Sequence, residues 1–316
     1  MSVIKKEAFY ISSDGTHKIR ALIWQDEKAE PIGVFQIAHG SGEHIGRYDE
    51  FARFLAENGY VVCGNDHLGH GMSVSDEAEL GVITDAECGW IRMVDDMHLL
   101  GNIMKSRFPA LPYFIFGYSM GSFAARIYAS RFGAELTGAI FCGTTQMPAA
   151  TELVIGGIDA VIARKGPAQS AQSVAKLSGI LSSLQFPGER GDPMAWLARS
   201  AQTRQEDLED PLCSNDMSLG LLRTLLKLGA KASDRDWASM LPADLAVMFI
   251  SGAKDPAGFN GTGVLLAADK CEKRGIDPTV ILYPGDRHDL IHEDDRDKVF
   301  EDILKWLRGV TEGKAE

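Results

Sequence analysis

The stretch Tyr113-Phe114-Ile115-Phe116-Gly117-Tyr118-Ser119-Met120-Gly121-Ser122-Phe123-Ala124-Ala125 constrains the fold more than any other part of the chain. An apolar run that reads as a buried strand gives way here to an Ala-rich helical pattern, and G-x-S-x-G sits on the junction. A corner this tight admits only Gly beside the Ser, and it lifts the hydroxyl out of the chain between strand and helix. Ser119 is therefore the candidate nucleophile. Plain turns also match G-x-S-x-G, so the reading depends on whether the rest of the chain supplies a base, an acid and oxyanion donors.

The preceding segments supply the donors. Apolar and polar residues alternate through Phe9-Tyr10-Ile11 and through 18–24, around Ser13-Asp14-Gly15, which predicts a hairpin at a sheet edge. Residues 33–38 form a short apolar strand that runs into His39-Gly40-Ser41-Gly42-Glu43-His44, a Gly-rich loop able to bring backbone N–H groups close to a ligand. The Ser41 amide and the Met120 amide, just after the nucleophile, are the expected oxyanion donors. Helical periodicity covers 47–58 and stops at Gly59, and residues 60–63 read as a buried strand. The spacing then predicts a long amphipathic helix over 89–107, with Trp90, Met93, Val94, Met97, Leu100, Ile103 and Met104 facing the core. A further strand is expected within 136–142. Strands alternating with helices argue for an α/β fold with a mostly parallel, doubly wound sheet.

The pattern changes over 144–241. Apolar residues there recur at helical spacing (Leu153, Ile155, Ile158; Leu219, Leu222, Leu226), with a Ser-, Gln-, Ala- and Gly-rich middle at 166–184 suited to an adaptable wall. This predicts a helical cap inserted between core segments 1–143 and 242–316. Such a cap would shelter an apolar substrate from water; extra core helices without a lid role are the plainer alternative. Strand character resumes at 245–250 and leads to Ser251-Gly252-Ala253-Lys254-Asp255-Pro256, where Asp255 is the candidate orienting acid. After a helix at 263–274 and a strand at 279–283, His288 stands in a turn as the candidate base, with His292 as the second choice. A closing helix is expected over 296–307, with a frayed polar tail after Gly309.

Several functions are disfavoured. A formal net charge of -12 opposes nucleic-acid binding, which needs clustered Lys and Arg. No run approaches the ~18 apolar residues of a membrane span, and the first ten residues lack a long apolar segment, so a cytoplasmic location is expected. Five cysteines without a C-x-x-C pair suggest neither a disulfide framework nor a zinc site. His67 and His70 in Asp66-His67-Leu68-Gly69-His70-Gly71-Met72-Ser73 lack a nearby third ligand, so no metal and no cofactor are expected.

Taken together, Ser119, Asp255 and His288 follow the order Ser, Asp, His, each at the end of a separate predicted strand. The chain resembles the monoacylglycerol lipase and lysophospholipase group of α/β-hydrolases, also described as serine aminopeptidase-like. The resemblance rests on His39 to His44, Asp66 to Ser73, Gly117-Tyr118-Ser119-Met120-Gly121, Asp210-Pro211-Leu212-Cys213, Ser251-Gly252 through Asp255, and Arg287-His288. It implies an α/β-hydrolase fold, the triad Ser119, Asp255 and His288, and an oxyanion hole from Ser41 and Met120. It also implies a cap over roughly 144–241. Tyr118 and Ser122 depart from the His and Gly often found there in the group. The expected substrate is a small ester of a single acyl chain, with amides, thioesters or a non-catalytic binding role as alternatives. An apolar cap face would also permit transient membrane or micelle contact, and nothing in the sequence fixes an oligomeric state.

Overall fold

The chain enters its sheet at an edge. β1 (Val3–Ile11) and β2 (Lys18–Asp26) form the expected antiparallel hairpin, paired from Val3 opposite Asp26 to Ile11 opposite Lys18. The computed structural model describes residues 3–189, 191–213 and 216–313. β3 (Gly33–Ala38), β4 (Tyr60–Asn65), β5 (Tyr113–Tyr118) and β6 (Gly138–Cys142) are buried at every position, as strands covered on both faces must be. β7 (Ala246–Gly252) and β8 (Thr279–Tyr283) complete the sheet, in the order β1-β2-β4-β3-β5-β6-β7-β8. β2 joins β4 antiparallel, and every pairing from β4 to β8 is parallel. The parallel strands therefore end on a common edge, where an α/β sheet positions its ligands.

Alternation along the strands divides the core. Phe114 and Phe116 of β5 pack with Phe51 of α1 (Asp49–Glu57) and Phe300 of α9 (Arg296–Thr311), while Ile115 packs on the opposite face. There it meets Met97 of α2 (Gly89–Arg107), Tyr128 of α3 (Met120–Phe132) and Val264 of α8 (Thr262–Glu272). Each fully buried Phe or Leu contributes about 1.5–3 kcal/mol, so this two-sided burial dominates stability.

Among the described residues, four α-helices lie between β6 and β7: α4 (Thr151–Lys165), α5 (Gln172–Ser183), α6 (Ala201–Glu209) and α7 (Leu219–Ala232). They differ in kind. Leu221 and Leu228 of α7 are buried in the same cluster as Met93 and Phe123, so α7 is part of the main core. Helices α4 and α5 instead expose Leu153, Val154, Leu177 and Leu181. The adaptable stretch expected at 166–184 contains α5, none of whose residues is buried.

Two expectations are corrected. Ile103 is 40% exposed rather than facing the core, because it shares an outer strip with Leu99, four residues earlier. The last helix does not stop before Gly309. Val310 packs on the α1 and α9 side of the core, and the Thr311 hydroxyl donates to the Leu307 carbonyl at 2.9 Å. An interior Gly costs a helix about 1 kcal/mol, which this packing offsets. All five cysteines are free thiols, and burial pushes the Cys63 thiol up to about 12. Among the described residues, no helix is long and apolar enough to cross a membrane.

Candidate active site

Ser119 occupies the corner between β5 and α3 with φ 51° and ψ -118°. A side chain at positive φ is strained, and such strain persists only where the surroundings enforce it. Here they do. A Cβ on Gly117 would overlap the Gly121 carbonyl, and one on Gly121 would overlap the Ala38 carbonyl. The Ser119 amide donates to the Cys142 carbonyl at 3.0 Å, fixing the corner to the end of β6. The Ser122 hydroxyl donates to the Ser119 carbonyl at 2.6 Å, a contact that Gly at this position could not make.

The ends of β7 and β8 bring two further side chains to this corner. Asp255 is fully buried, and its Oδ1 accepts the Ala257 amide at 2.8 Å. Its Oδ2 lies 2.9 Å from His288 Nδ1, and His288 Nε2 lies 2.8 Å from Ser119 Oγ. A carboxylate only accepts, so Nδ1 carries the proton and Nε2 is left to accept from the serine hydroxyl. Burial pushes the His288 imidazole down, but the charge and hydrogen bond of Asp255, aided by Asp289 and Glu43, hold it above its ordinary value. The alternative base, His292, is engaged elsewhere: its Nδ1 meets Asp289 Oδ1 at 2.8 Å and its Nε2 meets the Arg47 carbonyl at 3.0 Å.

On the other side of Ser119, Met120 opens α3, so its amide belongs to the first turn, where N–H groups lack intrahelical acceptors. The loop bearing Ser41 is held by a group that periodicity does not reveal. Glu43 Oε1 accepts the Gly40 amide at 2.5 Å and the Tyr48 hydroxyl at 2.8 Å, and its Oε2 accepts from Arg47 at 2.6 Å. Arg47 also reaches Asp289 at 3.1 Å and Asp207 of α6 at 3.3 Å. One guanidinium thus joins the Ser41 loop, the His288 loop and the inserted helices. The (i, i+4) spacing of Glu43 and Arg47 was the one local clue to it.

His39, His67 and His70 are buried together, with ring centroids 4.2 Å apart for His39 and His67 and 5.4 Å for His39 and His70. His39 Nδ1 donates to the Gly40 carbonyl at 2.7 Å, and its Nε2 accepts the His67 amide at 2.9 Å. Burial pushes His67 down to about 3, so this cluster is neutral and supports the loop. A different trio, His44, Asp210 and Cys213, offers three ligand atoms within 4.8 Å of one another. Its hydrogen bonds oppose a metal. His44 Nδ1 accepts the Gly46 amide, so Nε2 carries the proton and donates to Asp210 at 2.9 Å, the reverse of the tautomer that an Nε2-bound metal needs.

Trp196, between α5 and α6, was also missed: its ring centroid lies 5.1 Å from that of His288. It sits in Met194-Ala195-Trp196-Leu197-Ala198, an apolar run too short to show a period.

The chain matches the family described as serine aminopeptidase, S33, over residues 29–295. It is 27% identical over 291 residues to a monoacylglycerol lipase from Mycolicibacterium smegmatis, covering 90% of this chain and 91% of that one. A shorter match to the monoglyceride lipase of Homo sapiens is 37% identical over 100 residues, 32% of this chain and 31% of that one. In structure, the chain resembles a thermostable carboxyl esterase from Bacillus coagulans solved in complex with glycerol. That likeness has a TM-score of 0.90 and 28% identity, and it covers 98% of this chain and 100% of the other. With the family match spanning most of the sheet and all the residues gathered around Ser119, the chain belongs to the serine aminopeptidase S33 family of α/β-hydrolases.

Proposed function

We propose that this carboxylic ester hydrolase cleaves esters of a single short to medium acyl chain, monoacylglycerol-like or lysophospholipid-like, through an acyl-enzyme on Ser119. The observation that carries the reading is the line from Asp255 through His288 to Ser119, with hydrogen bonds of 2.9 and 2.8 Å. Ser119 Oγ attacks the ester carbonyl as its proton passes to His288 Nε2. Asp255 keeps the imidazole in the required tautomer and stabilises the imidazolium. The Ser41 and Met120 amides receive the developing oxyanion, each such donor being worth about 3 kcal/mol. Collapse of the tetrahedral intermediate breaks the ester C–O bond, and the departing alcohol takes the proton from Nε2. Water then attacks the acyl carbonyl with His288 again as base, releasing the acid and restoring Ser119.

The inserted helices suit an acyl substrate. Residues 144–241 would cap the site, and the apolar faces of α4 and α5 would meet acyl chains or the surface of a micelle. The similarity to a monoacylglycerol lipase and to an esterase solved with glycerol supports an ester over an amide. Electrostatics support it too. An aminopeptidase must hold its substrate's ammonium group, yet Glu43 and Asp289, the nearby carboxylates that act on His288, are already engaged by Arg47, Tyr48 and His292.

Hydrolysis of p-nitrophenyl esters of graded acyl length, with glycerol monoesters and lysophosphatidylcholine alongside, tests the reading in wild type and Ser119→Ala. Activity that peaks at short to medium chains and vanishes in the variant is expected. Folded wild type inert toward every ester would overturn it.

A further inference from the structure

His288 is gripped in its plane by Asp255 and Ser119, and two aromatic rings lie against it. The Tyr118 ring centroid is 5.1 Å away with the planes at 47°, and the Trp196 centroid is 5.1 Å away at 40°. Both lie within the roughly 6 Å over which a ring face attracts a cation. Tyr118 is buried beneath the nucleophile. Trp196 comes from the inserted segment, and its backbone is pinned on both sides of the indole. The Ala195 carbonyl accepts from Arg287, and the Leu197 carbonyl accepts the Asp289 amide at 2.8 Å. The two residues flanking Trp196 are thus bonded to the two residues flanking His288. That reciprocal pairing holds the indole beside the imidazole.

The charged groups acting on His288 are Asp255, Asp289 and Glu43. Asp289 and Glu43 are largely spent on Arg47 and His292. Among the described residues Asp255 is the carboxylate hydrogen-bonded to the imidazole, Asp289 and Glu43 act on it from further off, and the two rings are its aromatic neighbours.

We infer that Trp196 and Tyr118 are positioning residues for His288, stabilising its imidazolium through their ring faces, so that the insertion takes part in proton transfer as well as in covering substrate. This rests on the acyl-enzyme reading for its catalytic consequence, though not for the titration of His288 itself. The test follows the His288 ring nitrogens by NMR across pH in wild type, Trp196→Leu and Trp196→Phe, with kcat/KM measured alongside. In Trp196→Leu the midpoint and the acid limb of kcat/KM should both fall by about 0.5–1 pH, while Trp196→Phe keeps them in place. An unmoved midpoint with a raised KM would make Trp196 a pocket wall only and overturn the inference. If Trp196→Leu does not fold, 5-fluorotryptophan keeps the shape and weakens the ring face. Among the described residues Trp196 is the tryptophan whose ring meets His288, so an unmoved midpoint there also overturns it. Fluorophosphonate labelling of Ser119 reports separately on the acyl-enzyme reading.

Discussion

His44 and Asp210, 166 residues apart, are joined by a 2.9 Å hydrogen bond that ties the Ser41 loop to the end of α6. Burial pushes the Asp210 carboxyl up, but the His44 contact and the Leu212 amide outweigh it and hold the group below its ordinary value. Asp210→Ala removes this tie. Because Asp210 is partly exposed, the stability loss should be about 1 kcal/mol. The catalytic loss should be larger in proportion, roughly 3–10-fold in kcat/KM, because the proposed oxyanion donor Ser41 is less well fixed. Thermal unfolding and steady-state kinetics on the same preparation check both. A variant with full activity would mean that the loop is positioned without α6.

The positive φ of Ser119 sets activity against stability. Ser119→Gly should abolish hydrolysis and raise the unfolding free energy by about 1 kcal/mol, since Gly adopts this backbone without strain. Ser119→Ala should abolish hydrolysis without that gain. Urea denaturation of the three proteins separates the two effects.

The raised value of His288 gives a pH signature. In its proposed role as base it must be neutral, so kcat/KM should climb with pH through a midpoint above about 6.5, the ordinary histidine value. Stability runs the other way. A group whose folded value is raised adds stability that is complete below the unfolded value and lost as pH rises through the folded one. His288→Ala should remove both trends, read from pH-rate profiles and from denaturation midpoints between about pH 5 and 9.

Asp96 on α2 offers a control far from the chemistry. It accepts the Ser12 hydroxyl at 2.9 Å and the Ser13 amide at 2.6 Å, yet burial pushes its carboxyl up to about 6. The ionised form is therefore disfavoured in the folded state, and stability from this group is lost as pH rises from about 4 through 6. Asp96→Asn should be more stable than wild type at pH 8, with the advantage gone near pH 4. Equal denaturation midpoints at both pH values would count against that assignment.

Much of this was legible along the chain. Strands β3 to β6 are covered on both sides, so they read as nearly continuous apolar runs, and Gly117 and Gly121 around Ser119 mark a close backbone approach that leaves no room for a side chain. Asp255 and His288 could be picked out because parallel strands end on one edge, so a polar residue just past a strand has few places to go. What could not be read were relations without a period. Arg47 reaching Asp207 and Asp289, and Trp196 resting on His288, depend on how distant loops meet. Val310 continuing the helix beyond Gly309 depends on packing that local propensity does not register.

The burial of Leu221 and Leu228 limits how the inserted segment can open. A lid hinged at its two chain ends would have to pull α7 out of the main core, exposing leucines at about 1.5–3 kcal/mol apiece. Any swinging would therefore be confined to α4 and α5, and α7 would be a doorpost that stays with the sheet. An excision meant to uncover the site should remove α4 and α5 and leave α7 standing.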